Sequence, residues 1–237
     1  MEIQDTLNST NFTFLFLIFI GSKFLIETYL KLRNINSLKI NASKVPERFE
    51  NLVTVEEYKK STDYNLDRLK FQIIVSFVSI FILLLFTIGG LLNILASIVS
   101  SYTSSNILGA ISLGLLIIII SEILEIPLSI YSTFVIEEKY GFNKTTKKIF
   151  LMDIVKNLLI SSVISSLIYA VVIGIIENLG NNWWVYAFGA VFFIQLIIFF
   201  LYPVLIMPLF NKFKPLDDEE YKKPVEKLLE KINFKAK

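Results

Sequence analysis

Two carboxylates, Glu122 and Glu125, stand three residues apart inside a long apolar run, just before Pro127. On a helix they share a face. Such a pair could work as general acid and base. In lipid it requires either a hydrated cavity or protonation, unless Glu125 already lies at the wetted membrane boundary. Lys23 and Glu27, four apart, likewise share a face, and pairing lowers the cost of each charge in an apolar surround. Their plainest reading is an ion pair near the interface. Glu137-Glu138-Lys139 is a further charged cluster that reads equally well as a solvated loop. Around these groups the usual catalytic partners are absent. The chain has no His and no Cys, which removes thiol nucleophiles, thiolate metal sites, Ser–His dyads and HExxH zinc motifs. No Asp lies between Asp67 and Asp153, so two buried aspartates of an intramembrane aspartyl protease are excluded. The residues alone supply no complete catalytic set.

The elements that must position these groups follow from composition. Of 237 residues 54% are hydrophobic and 19% charged, with 21 Phe and 10 Tyr. Soluble domains run at about 45–50% apolar and about 25% charged. A chain of this size has no interior that could hide the excess, and its low charge excludes disorder. A net charge of +2 gives no reason to invoke nucleic acid. No charged residue occurs between Lys70 and Glu122, between Lys156 and Glu177, or between Glu177 and Lys212. Residues 12–32 are apolar apart from Lys23 and Glu27. None of these runs alternates as a barrel strand must. At about 1.5 Å per residue against a hydrocarbon core of roughly 30 Å, they predict an all-α, polytopic membrane protein. Its spans fall near 12–32, 71–95, 107–135, 154–176 and 184–207, and Trp183 and Trp184 sit at headgroup level. The Ser/Thr/Asn-rich stretch before Asn106 predicts an exposed turn between the second and third spans. A cleaved signal peptide is disfavoured, because Glu2 and Asp5 stand where a basic leader would be.

Twenty-one of the 23 basic residues fall on alternate connections: residues 31–70, 139–148 and the tail from 212. By the positive-inside rule those connections are cytoplasmic and the N-terminus is outside. In the 33–70 loop, Thr54-Val55-Glu56-Glu57 fits a capping box, and Leu66 and Leu69 lead into the second span, so a short cytoplasmic helix is expected to continue into the membrane. The tail, 217–237, carries Val225, Leu228, Leu229 and Ile232 on one helical face behind Pro224, read as a first helical position. Residues 1–216 are thus expected to form a five-span membrane domain, with an amphipathic cytoplasmic helix after it.

The segment from Ile126-Pro127 through Glu137-Glu138-Lys139-Tyr140-Gly141-Phe142-Asn143 to Thr146 resembles a signature of the CAAX prenyl protease 1 family. Tyr202-Pro203 through Met207-Pro208-Leu209-Phe210-Asn211 to Pro215-Leu216 is similar to the segment after that family's fifth helix. Tyr58 to Phe71, with Tyr64-Asn65-Leu66-Asp67, is a weaker third match. The family comprises integral-membrane zinc metalloendopeptidases that enclose a large water-filled chamber. The resemblance implies that Glu122, Glu125, Glu138 and Asn143 line that chamber or brace the zinc domain. Gly141 suits a tight turn and Asn143 the cap of the following helix. No catalytic, cofactor-binding or metal-binding residue carries over, because the HExxH helix and the third zinc ligand have no counterpart in this sequence. Zinc is expected only in the complete enzyme, with a zinc-protease portion as partner, from the same gene or an adjacent one. The chain is read as the N-terminal membrane domain of such an enzyme, shortened or one piece of a split gene, and inactive by itself. The alternative is a non-enzymatic membrane module that binds lipidated peptides or a partner protein. Prenylated or membrane-protein substrates, and the lipid bilayer itself, are the expected partners. The Lys/Asn/Ile-rich composition favours a bacterial inner membrane over the endoplasmic reticulum.

Overall fold

In the computed structural model, residues 9–42, 45–46, 49, 51–213 and 219–232 are described. Pro215-Leu216 and the last five residues lie outside them. Every regular element among the described residues is helical. Five helices are long and apolar enough to cross a membrane. The chain divides into two compact units, residues 1–174 and 175–237.

In the first unit, α1 spans Ser9–Asn41 and α2 spans Val55–Phe86. The start of α2 is the expected capping box. Thr54 Oγ1 accepts from the Glu57 N–H at 3.2 Å, and the Thr54 N–H donates to Glu57 Oε2 at 2.9 Å. Donation from the Thr54 backbone holds the Glu57 carboxyl below its ordinary pKa. The thirty-two residues of α2 measure about 48 Å, so its charged first half extends well beyond the apolar run that begins at Phe71. The side chain of Lys31 in α1 reaches across to α2, donating to Ser76 Oγ at 2.5 Å and to the Gln72 carbonyl at 3.3 Å.

The run read as one span over 71–95 is divided in the structure. After Phe86 the chain turns through Thr87–Gly90, and the separate helix α3, Leu91–Tyr102, follows. The cause is the glycine pair. Gly89 N–H folds back to the Leu84 carbonyl at 2.8 Å, and a Cβ at Gly89 would stand 2.6 Å from the Leu85 carbonyl oxygen. Gly90 follows with φ of 77°, in the left-handed region. Of the Ser/Thr-rich stretch, Ser100–Tyr102 complete α3, and Thr103–Ser105 form the expected turn to α4. Leu95 of α3 joins Ile82 and Phe86 of α2 in a buried cluster, packed against Leu113, Leu116, Ile117 and Ile120 of α4.

Helix α4 spans Asn106–Tyr131, opened by Ser105, whose Oγ accepts from the Leu108 N–H at 3.3 Å. It continues through a π-helical turn at Ser132–Glu137 and a last α-turn, Glu138–Tyr140, and ends on Gly141 at φ 78°. Helix α5, Lys147–Asn178, begins behind Thr146, whose Oγ1 accepts from the Ile149 N–H at 3.3 Å. Thr146 therefore takes the capping place expected of Asn143. Asn143 Oδ1 accepts instead from the Thr145 N–H at 2.7 Å and shapes the loop. At Gly114 the ring of Tyr169 from α5 comes so near that an added Cβ would clash with it.

In the second unit a short turn, Gly180–Asn182, leads into α6, Trp183–Leu201. That helix passes through a second π-helical turn, Tyr202–Ile206, to Met207–Phe210. Helix α7, Glu219–Lys231, starts earlier than Pro224 suggested. Pro224, at its sixth position, leaves one backbone hydrogen bond unmade inside the helix. Large side chains such as Phe193 and Phe199 lie outward, which suits hydrocarbon and not water.

Candidate functional site

Two of the segments singled out by resemblance meet in space. The charged end of α2 lies against the far end of α4. Tyr64 donates its hydroxyl to Glu137 Oε1 at 2.7 Å. Asp67 Oδ2 accepts from Lys139 Nζ at 2.7 Å and from the Tyr140 hydroxyl at 2.8 Å. Lys70 stands 3.6 Å from the other oxygen of Asp67. The Tyr64 ring packs edge-on against both Tyr140 and Phe142, with centroids 5.4 and 4.8 Å away. Lys139, and then Tyr140, hold the Asp67 carboxyl below its usual pKa, and donation to Glu137 pushes the Tyr64 phenol up. This latch fixes the connection 139–148 beside the charged half of α2, so two of the three basic segments share one end of the helix pair.

Below the latch, α2 and α4 diverge around a cleft of about 270 Å³. Arg68, Gln72 and Ser79 line it from α2, and Glu125, Ser129 and Ser132 from α4. Phe71, Val75 and Leu128 supply its apolar wall. Polar groups this dense on facing helices are costly against lipid, and they mark a functional surface by default. Ser132 opens the π-helical turn, a distortion that recurs at functional positions.

The four residues proposed as chamber-lining or bracing separate in two ways. Glu125 lines the cleft, whereas Glu122 sits half-buried one turn earlier and does not. Glu137-Glu138-Lys139 is helical rather than a solvated loop, and Glu138 in the last α-turn accepts from Asn143 Nδ2 at 2.7 Å, so those two form a local pair. Lys23 and Glu27 are 3.8 Å apart with largely exposed side chains. Tyr64, Asp67, Glu137, Tyr140 and Arg68 were not read from the sequence as site residues, although both matched segments contained them. Among the described residues, no group of three or more Asp or Glu side chains is arranged to hold a metal. With no His or Cys in the chain, these residues do not fit zinc.

Comparison with known proteins agrees with the five helices and the matched segments. The family model for the CAAX prenyl protease N-terminal region, with five membrane helices, matches residues 34–212. A CAAX prenyl protease 1 homolog from Arabidopsis thaliana is 32% identical, aligned over 90% of this chain and 52% of its own length. The probable CAAX prenyl protease 1 of Schizosaccharomyces pombe is 34% identical over 91% of this chain and 48% of its own. The crystal structure of S. mikatae Ste24p superposes with a TM-score of 0.81 at 30% identity, covering 91% of this chain and 51% of that one. The chain thus spans about half the length of the relatives it matches. These relatives are eukaryotic, and they lend no support to the bacterial membrane inferred from composition.

Proposed function

Because the chain belongs to the CAAX prenyl protease N-terminal family, an integral-membrane family, we propose that it forms the half of a CAAX protease that holds the substrate. The α2–α4 cleft is a wall of the chamber. Chemistry is carried by a zinc-protease portion outside this chain's residues. The observation that carries the reading is the polar cleft itself: six hydrogen-bonding side chains converge between two apolar helices that match a membrane protease. The segment 139–148 and the charged half of α2 face the cytoplasm, with the N-terminus on the opposite side, as the distribution of basic residues favours. Glu138 and Asn143, paired beside the latch, brace the catalytic portion.

The test is a binding and cleavage assay on the full chain in lipid nanodiscs with a fluorescent S-farnesyl tetrapeptide. Saturable binding without cleavage is expected. Failure to bind overturns the substrate-holding role, and zinc-dependent cleavage by the chain alone overturns the division of labour.

A further inference from the structure

The cleft is polarised along its length. On α2, Arg68, Gln72, Val75 and Ser79 recur at intervals of four, three and four, and on α4, Glu125, Leu128, Ser129 and Ser132 follow the same helical spacing. The two helices run in opposite directions, because Tyr64 meets Glu137 while the rings of Phe71 and Tyr131 pack 5.0 Å apart. Arg68 therefore lies at the charged mouth, and Glu125 roughly 10–14 Å deeper, at about 1.5 Å of rise per residue. No ion pair joins them among the described residues. Arg68 is exposed, and within hydrogen-bonding reach has the oxygen of Tyr64, whose proton is already donated to Glu137. A cation at the entrance and an anion inside, with hydroxyls and an amide between, suit a ligand of the reverse polarity.

From this we propose that the α2–α4 cleft reads the free C-terminal carboxylate of an extended peptide. The inference rests on the substrate-holding function above and specifies what that surface recognises. The guanidinium of Arg68 pairs with the terminal carboxylate at the mouth, a charge-assisted, two-pronged contact. The backbone runs inward past Gln72, Ser132 and Ser129, which offer both donors and acceptors. Glu125 accepts from N–H groups three to four residues upstream, since an extended chain advances about 3.3 Å per residue. Phe71, Val75 and Leu128 favour apolar side chains along that stretch. The opposite orientation would set the carboxylate against Glu125 and a positive terminus against Arg68, so the charges fix the direction of entry.

The experiment uses the full chain in nanodiscs and the fluorescent S-farnesyl tetrapeptide in two forms, free acid and C-terminal amide. The acid is expected to bind at least tenfold more tightly than the amide, the scale of one hydrogen-bonded charge contact. Arg68→Gln is expected to erase that advantage, weakening the acid more than the amide, and Arg68→Lys to restore part of it. Equal binding of acid and amide to the unaltered chain overturns the carboxylate assignment while leaving the substrate-holding role intact. So does an Arg68→Gln variant that weakens both peptides alike, because Arg68 would then be acting on the fold. Binding of neither peptide removes the substrate-holding role itself.

Discussion

The latch gives the most decisive single test. Asp67→Asn keeps the size of the side chain and one carbonyl oxygen, but removes the charge that Lys139 and Tyr140 address. The ion pair alone is worth little, because the Lys139 side chain is 60% exposed and solvent screens it. The hydrogen bond from the better-buried Tyr140 to a carboxylate contributes about 1.5–3 kcal/mol, of which the amide retains part. The expected net loss is about 1–2 kcal/mol, or roughly 2–8 °C in Tm for a unit of this size. The acid dependence has a fixed sign. Asp67 is held below its ordinary pKa, so its contribution is fully present above the unfolded-state value and is lost as pH falls through the lowered one. The unaltered chain and the variant should therefore differ at pH 7 and converge towards pH 3. Amide hydrogen exchange in detergent micelles supplies the local readout, and segment 137–146 should exchange faster in the variant at neutral pH. Identical exchange there, or a Tm gap that stays constant down to pH 3, would refute the assignment of Asp67 as the charged centre of the latch.

Thr54→Ala removes the side-chain half of the capping box and should lower stability by about 1 kcal/mol, with early exchange confined to the first turn of α2. Gly114→Ala should force the Tyr169 ring off α4 and lower thermal stability by about 1–3 kcal/mol. Adding Tyr169→Ala to it should recover part of that loss in a double-mutant cycle. Single cysteines at Lys144 and Ser104 should label from opposite faces of sealed vesicles, Lys144 from the cytoplasmic one, and labelling of both from one face would defeat the proposed topology.

How much of this could be read beforehand depended on the range of the determining interaction. Helix existence followed from charge-free runs long enough to cross a bilayer, and the capping box followed from four consecutive residues. The break after Phe86 did not, because Gly89-Gly90 inside an apolar run is tolerated in many helices and terminates one only when the backbone folds back. Reading Pro224 as a first helical position sets the start of α7 late, whereas the helix carries that proline inside it. Glu125 attracted notice as a carboxylate among apolar neighbours, and the structure sets it in the cleft. Arg68 escaped notice because it stands among other charged residues, and nothing local distinguishes it from a solvated cation. Tyr64, Asp67, Glu137 and Tyr140 become a unit only through contacts spanning about seventy positions. Each matched segment held half of that unit, and only the three-dimensional arrangement joined the halves.

The wide turn at Ser132–Glu137 has a consequence for chain length. A π turn accommodates one residue beyond α geometry, and each residue of an α-helix advances about 100° around the axis. Deleting one position among Thr133–Ile136 would let the backbone relax into an unbroken α-helix with Tyr140 still facing Asp67, whereas the same deletion in the α-helical stretch before it would swing Tyr140 round by about that angle. Loss of one codon at the wide turn would thus spare the latch, and the same loss a few codons earlier would undo it without altering any residue that forms it.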